Sequence, residues 1–409
     1  MPNAFQSISS GMAELKNYYQ GPIVDQLNEE TPIYRGAEKG KHSWSGLQVV
    51  RPLKVRRNQG IGATSDGGIL PSIGRQTTIQ AIIPAKFNYL RFGITGPMIK
   101  SSQNDVGSFV RSAAYELQEG YKDLQSDVNR QLSWNGDGTL AKMNATAVAS
   151  TSIVIKGREA TEAALKFVDI DGTYDIYDYT VPTAPALVQA GVTVTAITAG
   201  DASSATATLT VSPAVSAAAE NVLIRANSQG NEIQGLLTQL DGTTSTVFNI
   251  NRALYQSTQG NYVNVAGQLN LDKLQQGWNE GMRRGAAKYS AIYSDFDSIR
   301  YYQKLLTPDK RYTNTVKGDG GFAEKDKFYL DFNGIAWVPD KDCPTRIFFL
   351  PESMITKYVL SEMEFADETG SMYIAQTSSD SFETRIRLFA NLFNEKASAS
   401  VVLANYLSP

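Results

Sequence analysis

The stretch at residues 104–134 constrains this chain more than any other. Val110, Ala113, Leu117, Tyr121, Leu124, Val128 and Leu132 recur at spacings of three and four, which places them on one face of an α-helix. Arg111, Glu116, Lys122, Asp123, Asp127, Arg130 and Gln131 fill its other faces. Asn104 and Asp105 can accept hydrogen bonds from the free amides of a first turn. Asn135-Gly136-Asp137-Gly138 stops the helix, because glycine takes the left-handed turn that side chains resist. At about 1.5 Å per residue the helix is roughly 45 Å long, more than most globular helices reach. Gly107 and Gly120 weaken the run without ending it. Alone it reads as a core helix, and its flanks decide what it belongs to.

The chain has 409 residues, 42% hydrophobic content and a net charge of −3. That length suits two or three domains with sizeable cores. The charge argues against a dedicated nucleic-acid binder, which carries a strong basic excess. It leaves room for passive contact with packaged nucleic acid. A single cysteine, Cys343, excludes an internal disulfide framework and fits a reducing compartment. No long apolar run spans a membrane, and the first residues lack the form of a signal peptide. The single histidine, His42, sits in a polar loop. One His and one Cys leave almost no basis for soft-metal sites or for Cys/His and Ser/His catalysis. No phosphate-binding glycine loop leads from a strand into a helix. No metal or cofactor is therefore expected.

Residues 1–43 read as an arm, with a short helix over 10–19 that carries Tyr18 and Tyr19. Residues 44–98 read as a long hairpin. Its first strand, 48–57, mixes Val49, Val50, Leu53 and Val55 with Arg51, Lys54, Arg56 and Arg57. Pro52 marks it as an edge strand. A soft tip follows with Gly60, Gly62, Gly67, Gly68 and Gly74, then Arg75 and a second run from 76 to 90. Compact domains rarely carry such a loop without a purpose, and an isolated hairpin is marginal in water. It needs a surface, and a neighbouring subunit is the simplest one. Lys54, Arg56, Arg57, the glycines Gly60, Gly62, Gly67 and Gly68, Arg75, Tyr18 and Tyr19 are the candidate inter-subunit contacts. Val110, Leu117, Tyr121, Leu124, Val128 and Leu132 are the expected core face of the helix.

Composition changes over 140–230. Charge almost vanishes between Thr180 and Ala219, where only Asp201 is ionised. Residues 192–197 and 205–211 alternate with period two, as half-buried strands do. Asp169, Asp171, Asp175 and Asp178 do not match a calcium-loop spacing and read as strand and turn. The segment reads as a small β domain inserted into another. Beyond it, 231–380 is mixed. Helices are expected from Asn270 to Gly285 and from Ser294 or Asp295 to Leu306, then a strand pair at 334–338 and 346–350. Residues 381–409 read as two return strands forming a terminal hairpin.

This order of parts resembles the HK97-type major capsid proteins of tailed phages. Asn231-Glu232-Ile233-Gln234-Gly235-Leu236 looks like the family's entry into its axial domain, and Ile250-Asn251-Arg252-Ala253 like the segment soon after. Phe332-Asn333-Gly334-Ile335-Ala336-Trp337-Val338-Pro339-Asp340, with Pro344 and Ile347-Phe348-Phe349-Leu350, resembles a later strand-turn-strand. The resemblance implies an α+β HK97-like capsid fold. It has an N-terminal arm (1–43), an extended loop or E-loop (44–98), a peripheral domain with the spine helix (99–139), an axial domain (231–380) and return strands (381–409). The β-rich 140–230 departs from the plan, splitting a Gly-Asp-Gly-Thr-like turn from the 231–236 motif.

The implied function is self-assembly into hexamers and pentamers of an icosahedral shell around double-stranded DNA. The implied location is the virion, with assembly in the bacterial cytoplasm. The short stretch before the long loop makes a separate scaffolding protein the expectation. A portal and a cement or decoration protein are the further partners implied. An encapsulin-like compartment shares the fold and is the alternative. An enzyme using carboxylate pairs is a third reading, resting on Glu362, Glu364, Asp367 and Glu368, or on Asp340 and Asp342. Each group reads equally as a solvated helix face or turn.

Overall fold

The computed structural model describes residues 31–40, 44, 46–97, 106–159, 161–182, 184–201, 203–242, 246–285, 288–306, 330–366, 374–376 and 379–408, without the side chains of Glu38 and of 106–117. Tyr18, Tyr19, His42, Asn104, Asp105, Asp367, Glu368 and the side chains of Val110 and Leu117 lie outside the described residues.

In chain order, helical turn α1 (Pro32–Gly36) and strand β1 (Glu38–Gly40) precede the hairpin of β2 (Gln48–Arg56) and β3 (Thr77–Pro84). Strand β4 (Lys86–Thr95) comes before the long helix α2 (Val106–Ser133). Six strands follow: β5 (Thr139–Met143), β6 (Ala147–Lys156), β7 (Thr173–Asp178), β8 (Ala186–Ala199), β9 (Thr206–Ala217) and β10 (Val222–Arg225). Then come α3 (Leu236–Leu240), β11 (Thr246–Val247), β12 (Ile250–Asn251), β13 (Asn261–Gln268), α4 (Leu271–Gly285), β14 (Ala291–Ser294) and α5 (Phe296–Leu306). The last strands are β15 (Leu330–Phe332), β16 (Ile335–Pro339), β17 (Ile347–Leu350), β18 (Ile355–Phe365), β19 (Ile374–Ala375), β20 (Ser381–Asn394) and β21 (Val401–Leu407).

Helix α2 lies on the sheet β1-β18-β20-β19, to which β4 adds by pairing with β20. Leu124, Val128 and Leu132 pack with Ile386, Leu388, Ala390 and Leu392 of β20 and with Leu236 and Leu240 of α3. Tyr121 shares their helical face yet is exposed. This corrects its expected core role: among the described side chains of the helix, burial becomes continuous only at Val128. The polar faces also differ from expectation. Asn129, Arg130 and Gln131 are buried, because further segments cover the helix there.

The strands of 139–225 close into a six-stranded barrel in the order β10-β5-β6-β9-β8-β7. Alternation fills it from within with Val192, Val194, Ala207, Leu209 and Val211. Its entry and exit meet at the end of α2. Gly136 and Gly138 take positive φ angles of 76° and 86°. Asp137 accepts hydrogen bonds from Trp134 Nε1 at 2.9 Å and from the Thr139 amide at 2.8 Å. A Cβ on Gly235 would stand 2.3 Å from the Gln131 carbonyl oxygen, so only glycine lets the returning chain lie against the helix end.

A third layer is the sheet β13-β21-β17-β14-β16-β15, covered by α4 and α5. Its core joins Leu274, Tyr301, Tyr302, Trp337 and Phe349. Asn270 Oδ1 accepts the Lys273 amide and Asp295 Oδ1 accepts the Ser298 amide, capping α4 and α5.

Several strand expectations are corrected. β16 and β17 do not pair with each other, because β14 lies between them. β20 and β21 form no hairpin: β20 pairs with β4 and β18, and β21 with β13 and β17. The run 76–90 breaks at buried Ala85, whose amide bonds the Leu47 carbonyl at 2.8 Å. Residues 32–40 are not free arm, since Ile33 is in the core and β1 pairs with β18. Glu362 and Glu364 lie on strand β18, not on a helix.

Candidate assembly surface

The hairpin of β2 and β3 is anchored at its root. Val49, Ala81 and Ile83 pack with Val247, Phe248, Ile250, Tyr358 and Phe393. Arg51 pairs with Glu395 at 2.6 Å, and Ser257 Oγ donates to the Val55 carbonyl at 3.0 Å. Beyond Val55 support stops. Every residue from 61 to 70 is exposed. Gly67 turns the tip with φ of 74°. Gly60 and Gly74 let the two strands nearly touch, since a Cβ on Gly74 would lie 2.3 Å from the Gly60 amide nitrogen. Gly60 therefore serves close backbone approach, a more specific role than the tip flexibility expected of it. Gly62 and Gly68 sit in the same tip, against Pro71 and Thr64.

The tip carries what the sequence reading missed. Ile61, Ile69, Leu70 and Ile73 are 84%, 96%, 78% and 103% exposed. Four large aliphatic side chains on one loop form an exposed apolar display. The signal was readable: these residues interrupt a Gly/Ser loop where neither strand nor helix periodicity calls for them. Lys54, Arg56, Arg57 and Arg75 are exposed around the stem and tip, and none of them forms an ion pair among the described residues. Arg56 lies 5.5 Å from the centre of the Tyr255 ring. The tip thus offers apolar groups and spare cations together.

A second surface lies on the outer face of β4 and β20. Three cross-strand pairs stand in a row: Arg91 with Arg385, Tyr89 with Arg387, and Phe87 with Phe389. Phe389 meets Phe87 and Tyr89 edge-on, at 4.9 and 5.6 Å between ring centres. Like charges directly opposite are unfavourable. Here buried Glu383 lies between them, 2.7 Å from Arg91 and 2.6 Å from Arg385. The hydrogen bonds from Arg91 lower the Glu383 pKa. Arg387 pairs with Glu364 at 3.3 Å. The face is aromatic and rimmed by an exposed carboxylate at Glu364.

Asp340 and Asp342 do not form an open carboxylate pair. Asn129 Nδ2 donates to both, at 2.9–3.0 Å, and both are buried. Asp175 accepts the amides of Gly191 and Asn227, a turn-fixing role. Among the described residues no group of three His, Cys, Asp or Glu could hold a metal, and no described helix is long and apolar enough to cross a membrane.

No family model matches the chain, and no curated protein matches it in sequence. Solved structures do match in fold. A chain of the cyanophage A-1(L) capsid superposes with a TM-score of 0.57 at 14% identity, covering 98% of this chain and 99% of that one. A chain from the capsid of a native GTA particle gives 0.51 at 8% identity, covering 99% and 100%. The SrpI encapsulin of Synechococcus elongatus PCC 7942 gives 0.46 at 10% identity, covering 99% of both chains. The chain has the HK97-like capsid fold.

Proposed function

We propose that this chain is the major capsid protein of a tailed-phage-type virion. In this reading it assembles into hexamers and pentamers of an icosahedral shell around double-stranded DNA. The observation that carries the reading is the long hairpin, anchored at its root and bare at an apolar, cationic tip, on a capsid-type fold. The tip of one copy seats on the aromatic face of β4 and β20 in the next. Ile61, Ile69, Leu70 and Ile73 bury against Phe87, Tyr89 and Phe389, and the stem cations approach Glu364. Single exposed ion pairs contribute only about 0–1 kcal/mol, so strength comes from apolar burial repeated over many copies. The net charge of −3 limits adhesion to the enclosed DNA. A scaffolding protein, a portal and a cement protein are partners implied by the reading. The barrel is an addition to the shell plan at the 139–230 junction, and assembly takes place in the host cytoplasm.

The test is electron microscopy of the protein co-expressed with its scaffolding partner, followed by nuclease treatment and assay of the contents. Closed polyhedral particles with protected DNA are expected. Particles filled with protein cargo would assign an encapsulin-like compartment instead, and a compact monomer that never assembles would overturn the shell reading.

A further inference from the structure

The barrel has its own apolar core, drawn wholly from residues 140–223. None of the three other apolar clusters contains a residue of 139–225. What joins barrel to body is largely polar: Arg225 of β10 pairs with Asp127 of α2 at 3.4 Å, and most other ties lie in residues 157–159 and 161–169, within the connection from β6 to β7. Arg158 is fully buried there. Its guanidinium grips Glu162 with two bonds of 2.8 and 2.6 Å. It is stacked 4.2 Å from the Trp134 ring at the end of α2 and 4.3 Å from Phe167. Lys166 bonds Glu162 at 2.9 Å and the Cys343 carbonyl at 3.1 Å. Thr161 and Thr345 share a hydroxyl contact of 2.7 Å. Glu159 meets Arg346 through two bonds of 2.7 and 2.9 Å. The loop after β16 is tied in turn to α2, through Asn129 to Asp340 and Asp342 and through Ser133 Oγ to the Asp342 carbonyl at 3.3 Å.

We infer that residues 157–159 and 161–169 are a clasp that fixes the barrel's orientation to helix α2 and the 340–346 loop, with Arg158 as its positioning residue. Apolar contacts tolerate sliding, because their attraction is non-directional. Bidentate guanidinium–carboxylate bonds hold angle as well as distance. Arg158 crosses to the body by its stack on Trp134, and its bond to Glu162 lies within the segment. With Thr161–Thr345, Lys166–Cys343 and Glu159–Arg346 it makes four separate ties, which together oppose rotation of the barrel. Barrel and helix therefore move as one body, and a force on the barrel's outer strands is delivered to the helix end. In a shell, differences in subunit geometry are then taken up by the hairpin and not at the barrel.

Two measurements on the full chain test this. Its single cysteine is buried, so spin labels can be placed at Gln118→Cys and Thr198→Cys, both exposed. One narrow distance distribution is expected, and a broad or bimodal one overturns the clasp before any clasp residue is altered. Arg158→Met keeps the stacking volume but removes the fork. Hydrogen exchange should accelerate about tenfold or more at 129–134 and 340–346, with barrel strands still protected by their own core. The label distribution should broaden, and Arg158→Lys should restore it only in part. Unchanged exchange at the helix end, or equal loss of protection in barrel and helix, overturns the proposal.

Discussion

Replacing Ile61, Ile69 and Ile73 together by serine separates assembly from folding. All three are almost fully exposed in the subunit, and none belongs to an apolar core cluster. The isolated chain therefore has no contact to lose, and its unfolding free energy should change by no more than about 0.5 kcal/mol. In a joint between copies the arithmetic reverses. Fully burying an isoleucine contributes about 1.5–3 kcal/mol, so three give roughly 5–9 kcal/mol at full burial and about half that at half burial. With about 1.4 kcal/mol for each tenfold change in an equilibrium, even 2–4 kcal/mol raises the concentration needed for assembly roughly 30- to 700-fold. Urea denaturation of the unassembled subunit gives the first quantity. Sedimentation or size exclusion across a concentration series, with scaffolding protein present, gives the second. Assembly at the wild-type concentration refutes the tip as an interface. A subunit destabilised by more than about 1 kcal/mol refutes the premise that the tip contacts nothing in its own chain.

Arg130→Met strands buried Glu232, which lies 2.5 Å from the guanidinium, while Asp127 keeps Arg225 and Gln131. The cost should be about 3–5 kcal/mol in urea denaturation, and a loss below about 1 kcal/mol would show that the pair is solvated. Asp340 is raised by burial and by neighbouring Asp342 to a pKa of about 6, against an ordinary 3.8. The unfolded chain ionises first as pH rises through that window, so this group's presence lowers stability progressively from about pH 4 to 6, and the deficit persists above. Asp340→Asn should therefore shrink the stability difference between pH 4 and pH 8 by up to about 3 kcal/mol, read from denaturation at each pH; an unaltered pH profile would sink the assignment. Gly235→Ala places a methyl 2.3 Å from the Gln131 carbonyl and should leave little soluble protein, whereas Gly267→Ala meets no atom within 4 Å and should cost far less, as solubility and melting temperature will show.

The parts legible in the sequence are those where one periodicity decides. Val128 and Leu132 fall on a helical face, and Val192 and Val194 alternate in a strand, so helix α2 and strand β8 were readable from spacing alone. The same period locates an apolar face but says nothing of what covers the polar one. Asn129, Arg130 and Gln131 look like solvent residues, and they are buried because Glu232, Asp340, Asp342 and Asn88 arrive from distant positions to bond them. Strand pairing failed for a related reason. β16 and β17 are neighbours in sequence, but Ile292 of β14 takes both Trp337 and Phe349 as partners. Local turn signals cannot report a strand inserted from residues 291–294. The tip residues were missed because exposure of Ile69 and Ile73 contradicts the rule that reads isoleucine as core.

That contradiction and the buried polar helix face describe one division of labour. Where parts of a single chain must keep a fixed angle, this protein buries directional groups: Asn129 with Asp340, Arg130 with Glu232, Glu159 with Arg346. Such pairs are poor sources of net stability, since desolvation offsets much of their attraction, but they penalise misalignment severely. At Ile61, Ile69, Leu70 and Ile73, which the proposed assembly would bury, the surface exposes aliphatic groups that gain from contact yet accept a range of angles. A subunit that must sit in non-identical positions needs that distribution: ionic geometry inside, apolar contact between copies. The reverse arrangement, an apolar joint at the barrel and buried ion pairs at the tip, would fix the angle between subunits and loosen the subunit itself.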